Sequence, residues 1–228
     1  DGALADPLDD GLDESPDDDG RTDDAPDRPA DTTVPAPTGT TPPTPMAPMA
    51  PTATIDPELF VDIDLASVID VDDRKPVRPH DALAAVAIVD IERWGSEVFP
   101  TIYGAPFEPL AGGVYAGYPE RVTDIPGCGE PSTAYDDLQL YVAFYCQLGD
   151  FVVYDDGDID PSLLTPLASE YGSAVIGVVL AHEYGHAIQS RIGALDTNYA
   201  TIITEQQADC FAGAWTGQAY RGESPLLR

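Results

Sequence analysis

Positive charge is scarce in this 228-residue sequence. Lys and Arg together number 10 against 41 Asp and Glu, and Lys75 is the single lysine. The formal net charge of −31 at pH 7 would repel nucleic acids and anionic membranes, so it argues against both as partners. Histidine and cysteine are also rare, with three residues of each type, so each one can be considered individually.

Long apolar segments are missing as well. No run reaches the length of about 18 residues that a membrane-spanning helix requires, and the longest run, Ala174 to Ala181, is much shorter. The sequence has neither an initiating Met nor an apolar signal segment. We therefore expect that a signal peptide or a lipid-anchored leader was removed, and that the protein is extracytoplasmic, either secreted or tethered to the cell surface.

Large apolar side chains are nearly absent from the first 55 positions. Residues 1–31 are dominated by Asp with Pro and Gly, and residues 32–54 by Thr, Pro and Ala. Neither stretch can bury enough apolar surface to offset the entropy lost on ordering. We predict a disordered acidic, then Pro/Thr-rich, tail over residues 1–55 and one domain over residues 56–228. Two interpretations fit these residues equally well: a spacer that holds the domain away from a cell surface, or a solvated tail without a specific role.

The rest of the sequence alternates between helical and extended patterns. Amphipathic spacing predicts a helix from Asp81 to about Val98, with Asp90 among the charged residues that face away from its apolar stripe. Further helices are predicted over 161–171, 173–191 and 200–220. Strands are predicted at 114–118, within 138–146 and at 151–154, while 60–65 fits a short strand or an extended lead-in. The apolar first half of the 173–191 helix predicts that it runs through the middle of the domain.

The segment 181–187 contains the pattern His-Glu-x-x-His. In a helix, His182 and His186 lie four residues apart on one face, close enough to share a metal ion. Glu183 lies about 100° round the helix, where its carboxylate can reach a metal-bound water. Two neutral imidazoles bind Zn²⁺ without cancelling its charge, and the nearby carboxylate can take a proton from the activated water.

A catalytic zinc site of this kind needs a third protein ligand. The interval from His186 to Glu205 is long enough for a turn and an adjacent antiparallel helix. We predict that His182, His186 and Glu205 bind Zn²⁺ and that a fourth position is open to water. Asp209, on the same helical face as Glu205, is predicted to accept the second ring N–H of a ligand histidine. An ordinary solvated helix face is the alternative for both acidic residues.

Five segments of the sequence carry a resemblance to a known family. They are Asp90–Trp94, Ala143–Cys146, Asp150–Asp155, Ala181–Gln189 and Glu205–Trp215. Over roughly residues 81–215 the chain resembles the neutral zinc metallopeptidases, a branch of the zincins with a glutamate as third ligand. The last two motifs at this spacing are specific, whereas the first three are weak signals alone. Family members generally continue well past the last motif, so whether the domain ends at Arg228 stays open.

The resemblance implies a zincin-like α+β fold, in which a small twisted sheet packs on an active-site helix and a second ligand-bearing helix. It also implies the ligand roles of His182, His186 and Glu205, with Glu183 as general base. In zincins the peptide substrate lies along the edge of the sheet. The resemblance therefore implies a substrate-binding edge strand, with an ordinary internal strand as the alternative, formed by Phe151, Val152, Val153 and Tyr154.

The three cysteines allow more than one pairing. Cys128 and Cys146 flank a strand segment and would form a disulfide bond in an oxidising compartment. Cys210 lies about 140° round its helix from Glu205, so we expect it to face away from the metal as a buried free thiol. A bond from Cys210 to either of the other two cysteines stays open.

Two further features are interpreted as structural. We expect His80, which follows Pro79 at a helix start, to be exposed or to cap the helix. The acidic segment 155–160 lacks the spacing and the closing Glu of an EF-hand, so we predict a solvated turn that is a weak candidate for calcium.

Together these features predict a zinc peptidase that hydrolyses peptide or protein substrates with a metal-activated water, Glu183 acting as the base. One alternative is a catalytically silent, zinc-bearing extracellular binding or adhesion module. Another is an acidic extracellular protein adapted to calcium or salt, whose zinc site is incidental. The substrate preference and the oligomeric state do not follow from the sequence.

Overall fold

The computed structural model describes residues 60–139, 141–158, 162–197 and 199–227. The tail predicted for residues 1–55 lies outside these ranges, and the domain boundary at residue 56 stays a prediction. The described residues form a mixed α+β structure, so the predicted fold class is confirmed at that level. The helices are α1 (Asp81–Tyr103), α2 (Tyr135–Leu138), α3 (Leu164–Tyr171), α4 (Ala174–Arg191) and α5 (Thr201–Tyr220). The strands are β1 (Gly113–Gly117), β2 (Ile125–Pro126), β3 (Ser132–Thr133), β4 (Ala143–Cys146) and β5 (Phe151–Asp155).

Helix α1 is longer than its predicted span and ends where a glycine permits a left-handed turn. Pro100 lies in its last turn, and Gly104 follows with a φ of 71° and donates its N–H to the Pro100 carbonyl. Ala87 and Ile91 of the predicted apolar stripe are buried in the core, while Leu83, Trp94 and Val98 of the same stripe are partly buried. Residues 60–64 form a lead-in rather than a strand, with Phe60 bridged to Leu227, and a short 3-10 helix, Leu65–Ser67, follows.

The prediction that Asp90 faces away from the core is wrong, because its side chain is completely buried. Its carboxylate accepts hydrogen bonds from Trp215 Nε1 at 2.9 Å, Gln218 Nε2 at 3.2 Å and Ser224 Oγ at 2.7 Å. It also pairs with Arg93 on α1. Helix α5 and the segment after it thus cover Asp90, on a face of α1 that periodicity assigned to solvent.

The main sheet has three strands in the order β1-β5-β4, and a second sheet pairs β2 with β3. Strand β1 runs parallel to β5, and β4 runs antiparallel to it. The edge position expected for Phe151–Tyr154 is therefore wrong: β5 is the central strand and is buried throughout. Its side chains alternate between two cores, with Val152 and Tyr154 in the larger one and Phe151 in the smaller one.

Helices α4 and α5 pack closely because small residues lie at their crossing. A Cβ atom added to Gly185 would lie 2.8 Å from Ala208 Cα, and one added to Gly177 would lie 2.9 Å from the Trp215 ring. The prediction that α4 runs through the middle of the domain holds for most of its surface, although Val178 is 38% exposed. The close crossing brings the second half of α4 against the first half of α5.

A disulfide bond joins Cys128 to Cys146, which confirms the predicted pair. It attaches the loop after β2 to the end of β4. Cys210 is exposed on α5, so the prediction of a buried thiol is wrong. Within the part of the chain that the structure describes, no helix combines the length and apolar character needed to cross a membrane.

Candidate metal centre

Three potential ligands converge where α4 packs on α5. His182 and His186 lie one turn apart on α4, and Glu205 lies in the second turn of α5. His182 Nε2 is 3.1 Å from Glu205 Oε2, and His186 Nε2 is 3.5 Å from the same oxygen. The structure thus brings the three residues proposed as ligands close enough for one atom of each to contact a single ion.

The hydrogen bonds on the far side of each ring determine which nitrogen is free. His182 Nδ1 lies 2.9 Å from Asp209 Oδ1, and His186 Nδ1 lies 2.8 Å from Gln189 Oε1. Both oxygens act as acceptors here, so each Nδ1 carries a proton, and Nε2 is the nitrogen that a neutral ring would offer to a metal ion. The two Nε2 atoms and one carboxylate oxygen face the same point, which is the donor set that a metal ion would need.

The separations also fit zinc. Tetrahedral zinc with ligand bonds of about 2.0–2.2 Å places neighbouring ligand atoms roughly 3.3 Å apart. The two separations from Glu205 Oε2, at 3.1 Å and 3.5 Å, lie on either side of that value. The side chains of His182 and His186 are 22% and 15% exposed, so the centre is open to solvent on one side. An open side is typical of catalytic rather than structural zinc sites.

Glu183 lies beside the proposed ligands with only 7% of its surface exposed. Burial raises the pKa of its carboxyl to about 7, and the negative charge of Glu205 acts in the same direction. The interaction with His182 and a hydrogen bond from the backbone N–H of Tyr145 oppose this increase. A carboxyl with a pKa near neutrality can both accept and return a proton at physiological pH.

A cavity of about 570 Å³ opens in front of His182, Glu183 and His186. The edge strand β4 forms one wall of this cavity through Ala143, Phe144 and Tyr145. The other lining residues are mostly uncharged: Tyr141, Gln147, Leu195 and Thr204, together with Glu205. No residue of β5 lines it, so Phe151, Val152, Val153 and Tyr154 support the sheet behind β4 rather than form the cavity wall.

Sequence reasoning missed Gln189, which contacts His186 and α5 at once. Its position in the motif segment 181–189 was the available signal, because it falls three residues after His186 on the same side of α4. Sequence reasoning also expected the sheet edge at β5, whereas the edge strand next to the cavity is β4. The aromatic residues within 143–146 were the signal for β4.

A second group of potential ligands, His80, Asp81 and Asp156, lies away from the cavity. His80 occupies the N-cap position of α1, but its side chain makes no capping hydrogen bond. The expected exposure is wrong, because the side chain is 2% exposed and its Nε2 lies 2.8 Å from Asp156 Oδ1. Asp155 and Asp156 are completely buried, so the prediction of a solvated turn is wrong for both. Asp160, at the end of that predicted turn, lies outside the described residues.

This second group already contains its own cations. Lys75 Nζ lies 2.8 Å from both Asp81 Oδ1 and Asp156 Oδ2, and Arg78 pairs with Asp156 and Asp158. Lys75 and Arg78 therefore balance the negative charge of this group within the fold, without a metal ion.

Comparison with known proteins adds relatives but no activity. No family model matches the chain, and no solved structure matches it significantly. Uncharacterized proteins of Mycobacterium bovis and Mycobacterium tuberculosis are each 35% identical to it over 97 residues. The match covers 39% of this chain and 31% of each relative, so the chain spans about a third of the length of these relatives in the matched segment.

Proposed function

We propose that the domain is a zinc-dependent peptidase of the neutral zinc metallopeptidase type, with a zincin-like fold. The observation that carries this proposal is the convergence of His182, His186 and Glu205 at an open cavity, with the buried carboxyl of Glu183 beside them. A bound Zn²⁺ supplies Lewis acidity, which polarises a carbonyl group and lowers the pKa of water to about 7.

The donor set also suits other metals. Two histidines and one carboxylate can bind non-haem iron as well as zinc. The position of Glu183 favours hydrolysis, because a buried carboxyl next to the ligands can serve as a base for a metal-activated water. Metal analysis of the purified protein therefore accompanies every activity assay.

In the proposed reaction Glu183 accepts a proton from the attacking water and delivers it to the leaving amine. His182, His186 and Glu205 hold the metal, and Asp209 keeps the His182 ring oriented through Nδ1.

Strand β4 is the proposed substrate platform. It pairs with β5 along one side only among the described strands, and its residues 143–145 border the cavity. An extended peptide can add to such an edge through backbone hydrogen bonds. The main chain of Tyr145 also contacts Glu183, so a peptide on this edge lies close to the proposed base.

Export from the cytoplasm is part of the proposal. The Cys128–Cys146 disulfide is a bond that persists in oxidising compartments and is rare where thiols are kept reduced. A peptidase outside the cytoplasm would meet peptide or protein substrates there.

The test compares Glu183→Gln with wild type on a mixed fluorogenic peptide library, with zinc content measured in both. We expect Glu183→Gln to retain zinc and to lose hydrolysis by at least about 100-fold, because a positioned general base contributes that much or more. Glu170→Gln, an exposed change on α3, is the matched control and should keep full activity. Zinc-loaded wild type that cleaves no peptide would contradict the proposal and favour a catalytically silent zinc module.

A further inference from the structure

We propose that Gln189 is a positioning residue that holds the His186 ring in the tautomer protonated on Nδ1 and couples that ring to the helix bearing Glu205. The proposal rests on the proposed metal site, although its main test uses the metal-free protein. Gln189 is completely buried, so solvent does not compete for its amide group.

The partners of the Gln189 amide fix its orientation. One amide atom lies 2.6 Å from the backbone carbonyl oxygen of Thr204, which can only accept a hydrogen bond. That atom must be the amide nitrogen, whose other hydrogen is donated to Gln207 Oε1 at 3.0 Å. The amide oxygen consequently faces His186 Nδ1, at 2.8 Å.

The orientation of the amide then fixes the proton on the ring. A carbonyl oxygen cannot donate, so His186 Nδ1 must carry the hydrogen that lies between it and Gln189. In a neutral ring, His186 Nε2, at 3.5 Å from Glu205 Oε2, is then the nitrogen with a free lone pair. A backbone carbonyl on α5 thus determines, through one amide, which nitrogen of His186 on α4 is free to bind a metal.

The same side chain also positions the third ligand. Thr204 directly precedes Glu205, so the bond from Gln189 to the Thr204 carbonyl ties the first turns of α5 to α4 next to that ligand. Gly185 permits the close approach that this bond requires, because its missing Cβ leaves space for Ala208. One buried amide thereby controls the orientation of one ligand and the distance to another.

The two histidines are held differently. His182 donates to Asp209, whose side chain is 71% exposed, so water competes for that bond. His186 donates to a buried neutral amide that water does not reach. Loss of Gln189 should therefore disturb the tautomer of His186 specifically.

The first test is ¹⁵N NMR of the histidine rings in the metal-free wild type and in Gln189→Met, which keeps the length of the side chain but has no amide. We expect His186 to be protonated on Nδ1 in the wild type and to populate both tautomers in Gln189→Met. A wild-type His186 ring protonated on Nε2 alone would overturn the proposal without any variant.

The second test is zinc affinity by competition with a chelator. We expect Gln189→Met to bind zinc about 10–100-fold more weakly, the range typical for loss of a group that orients a ligand. Gln189→Glu keeps an oxygen for Nδ1–H, so it should keep the wild-type tautomer and recover part of the affinity. Gln207→Met, which removes one partner of the amide but does not touch His186, should leave the tautomer unchanged.

Thermal melting of the metal-free variants separates positioning from folding. If Gln189→Met and Gln189→Glu lose the same affinity, with equal melting losses and unchanged tautomers, Gln189 has only a structural role and the proposal fails. If the wild type shows the expected tautomer but binds no zinc, the proposed function fails while the assignment of the His186 proton stands.

Discussion

The molecule contains two groups of histidine and carboxylate side chains, and they differ in what balances their charge. In the first, His182, His186 and Glu205 face a cavity whose described lining residues include no Lys or Arg. In the second, His80 and Asp156 are buried, and Lys75 supplies an ammonium group 2.8 Å from the Asp156 carboxylate. Similar residue types therefore lie in two different electrostatic environments.

The comparison shows that composition alone does not define a metal site. A buried carboxylate needs a partner charge because removing it from water is costly. Lys75 and Arg78 meet that need for Asp156 inside the fold. The described residues that line the cavity include no Lys or Arg, which suits the metal binding proposed for that site.

The largest effect is expected on zinc affinity, for a change in the group that faces the cavity. Glu205→Gln preserves the shape of the side chain but removes the charge that faces the two imidazoles. We expect zinc affinity to fall well beyond the roughly 10–100-fold range of an orienting residue, because a direct ligand is lost. Titration with zinc by calorimetry measures this. The stability of the metal-free protein should change little, since the Glu205 side chain is 45% exposed. Wild-type zinc affinity in the variant would contradict the proposal that Glu205 is a ligand.

The next largest effect is expected on protein stability, for a change in the buried group around Asp156. Lys75→Met removes the ammonium between Asp81 and Asp156 and leaves buried negative charge under-compensated. We expect a loss of about 3–5 kcal/mol in the free energy of unfolding, measured with urea. Zinc affinity should stay at the wild-type value, which is the opposite pattern to Glu205→Gln.

The double variant Lys75→Met/Asp156→Asn provides the matched control, because it removes both members of the pair. We expect it to recover part of the lost stability. A loss below about 1 kcal/mol for Lys75→Met would show that the buried pair is not needed as an internal neutralising device.

A smaller effect is expected in the pH dependence of stability, and it comes from Asp72, three residues before Lys75. Desolvation by burial acts to raise the pKa of Asp72. Hydrogen bonds from the Val122, Arg74 and Thr123 N–H groups and from the Tyr118 hydroxyl outweigh it and hold that pKa well below its ordinary value. A lowered folded-state pKa gives stabilisation that is present above the unfolded-state pKa, near ~3.9, and lost as pH falls through the folded-state pKa.

Asp72→Asn should therefore be less stable than wild type at pH 7, and the difference should shrink as the pH falls below about 4. Urea midpoints measured at several pH values check this, with the exposed neighbour change Asp73→Asn as control. A difference that stays constant across the acid range would contradict the assigned hydrogen bonds.

The smallest effect is expected at Cys210, which lies on α5 beside Asp209 but belongs to neither group. Cys210→Ser should change the free energy of unfolding by no more than about 0.5 kcal/mol, because the side chain is exposed. Zinc affinity should be unchanged. A large drop in affinity would mean that a thiolate takes part in metal binding.

Much of the site could be predicted because helical periodicity is local. Four-residue spacing puts His182 and His186 on one face, and the same rule pairs Glu205 with Asp209. The structure has these residues on α4 and α5 and brings Asp209 to His182 Nδ1. The spans of α3, α4 and α5 agree with prediction to within three residues, and the disulfide pair agrees as well, whereas α1 is longer than predicted and α2 was not predicted.

The errors share a cause, which is that burial depends on elements distant in sequence. Asp90 falls on a helix face that periodicity assigns to solvent, yet α5 covers it. Likewise the edge of a sheet cannot be identified from one strand, because β5 becomes central only when β1 and β4 pair with it. His80 is buried because Asp156, 76 positions later, lies against it.

The sequence by itself determined the candidate ligands, the proposed base and the helices that carry them, because those depend on spacing within a few turns. Only the tertiary structure decided which carboxylates have internal partners, which strand borders the cavity and how Gln189 links His186 to α5. The physical reason is that charge compensation and solvent access are properties of neighbours in space, and long-range packing alone sets those neighbours.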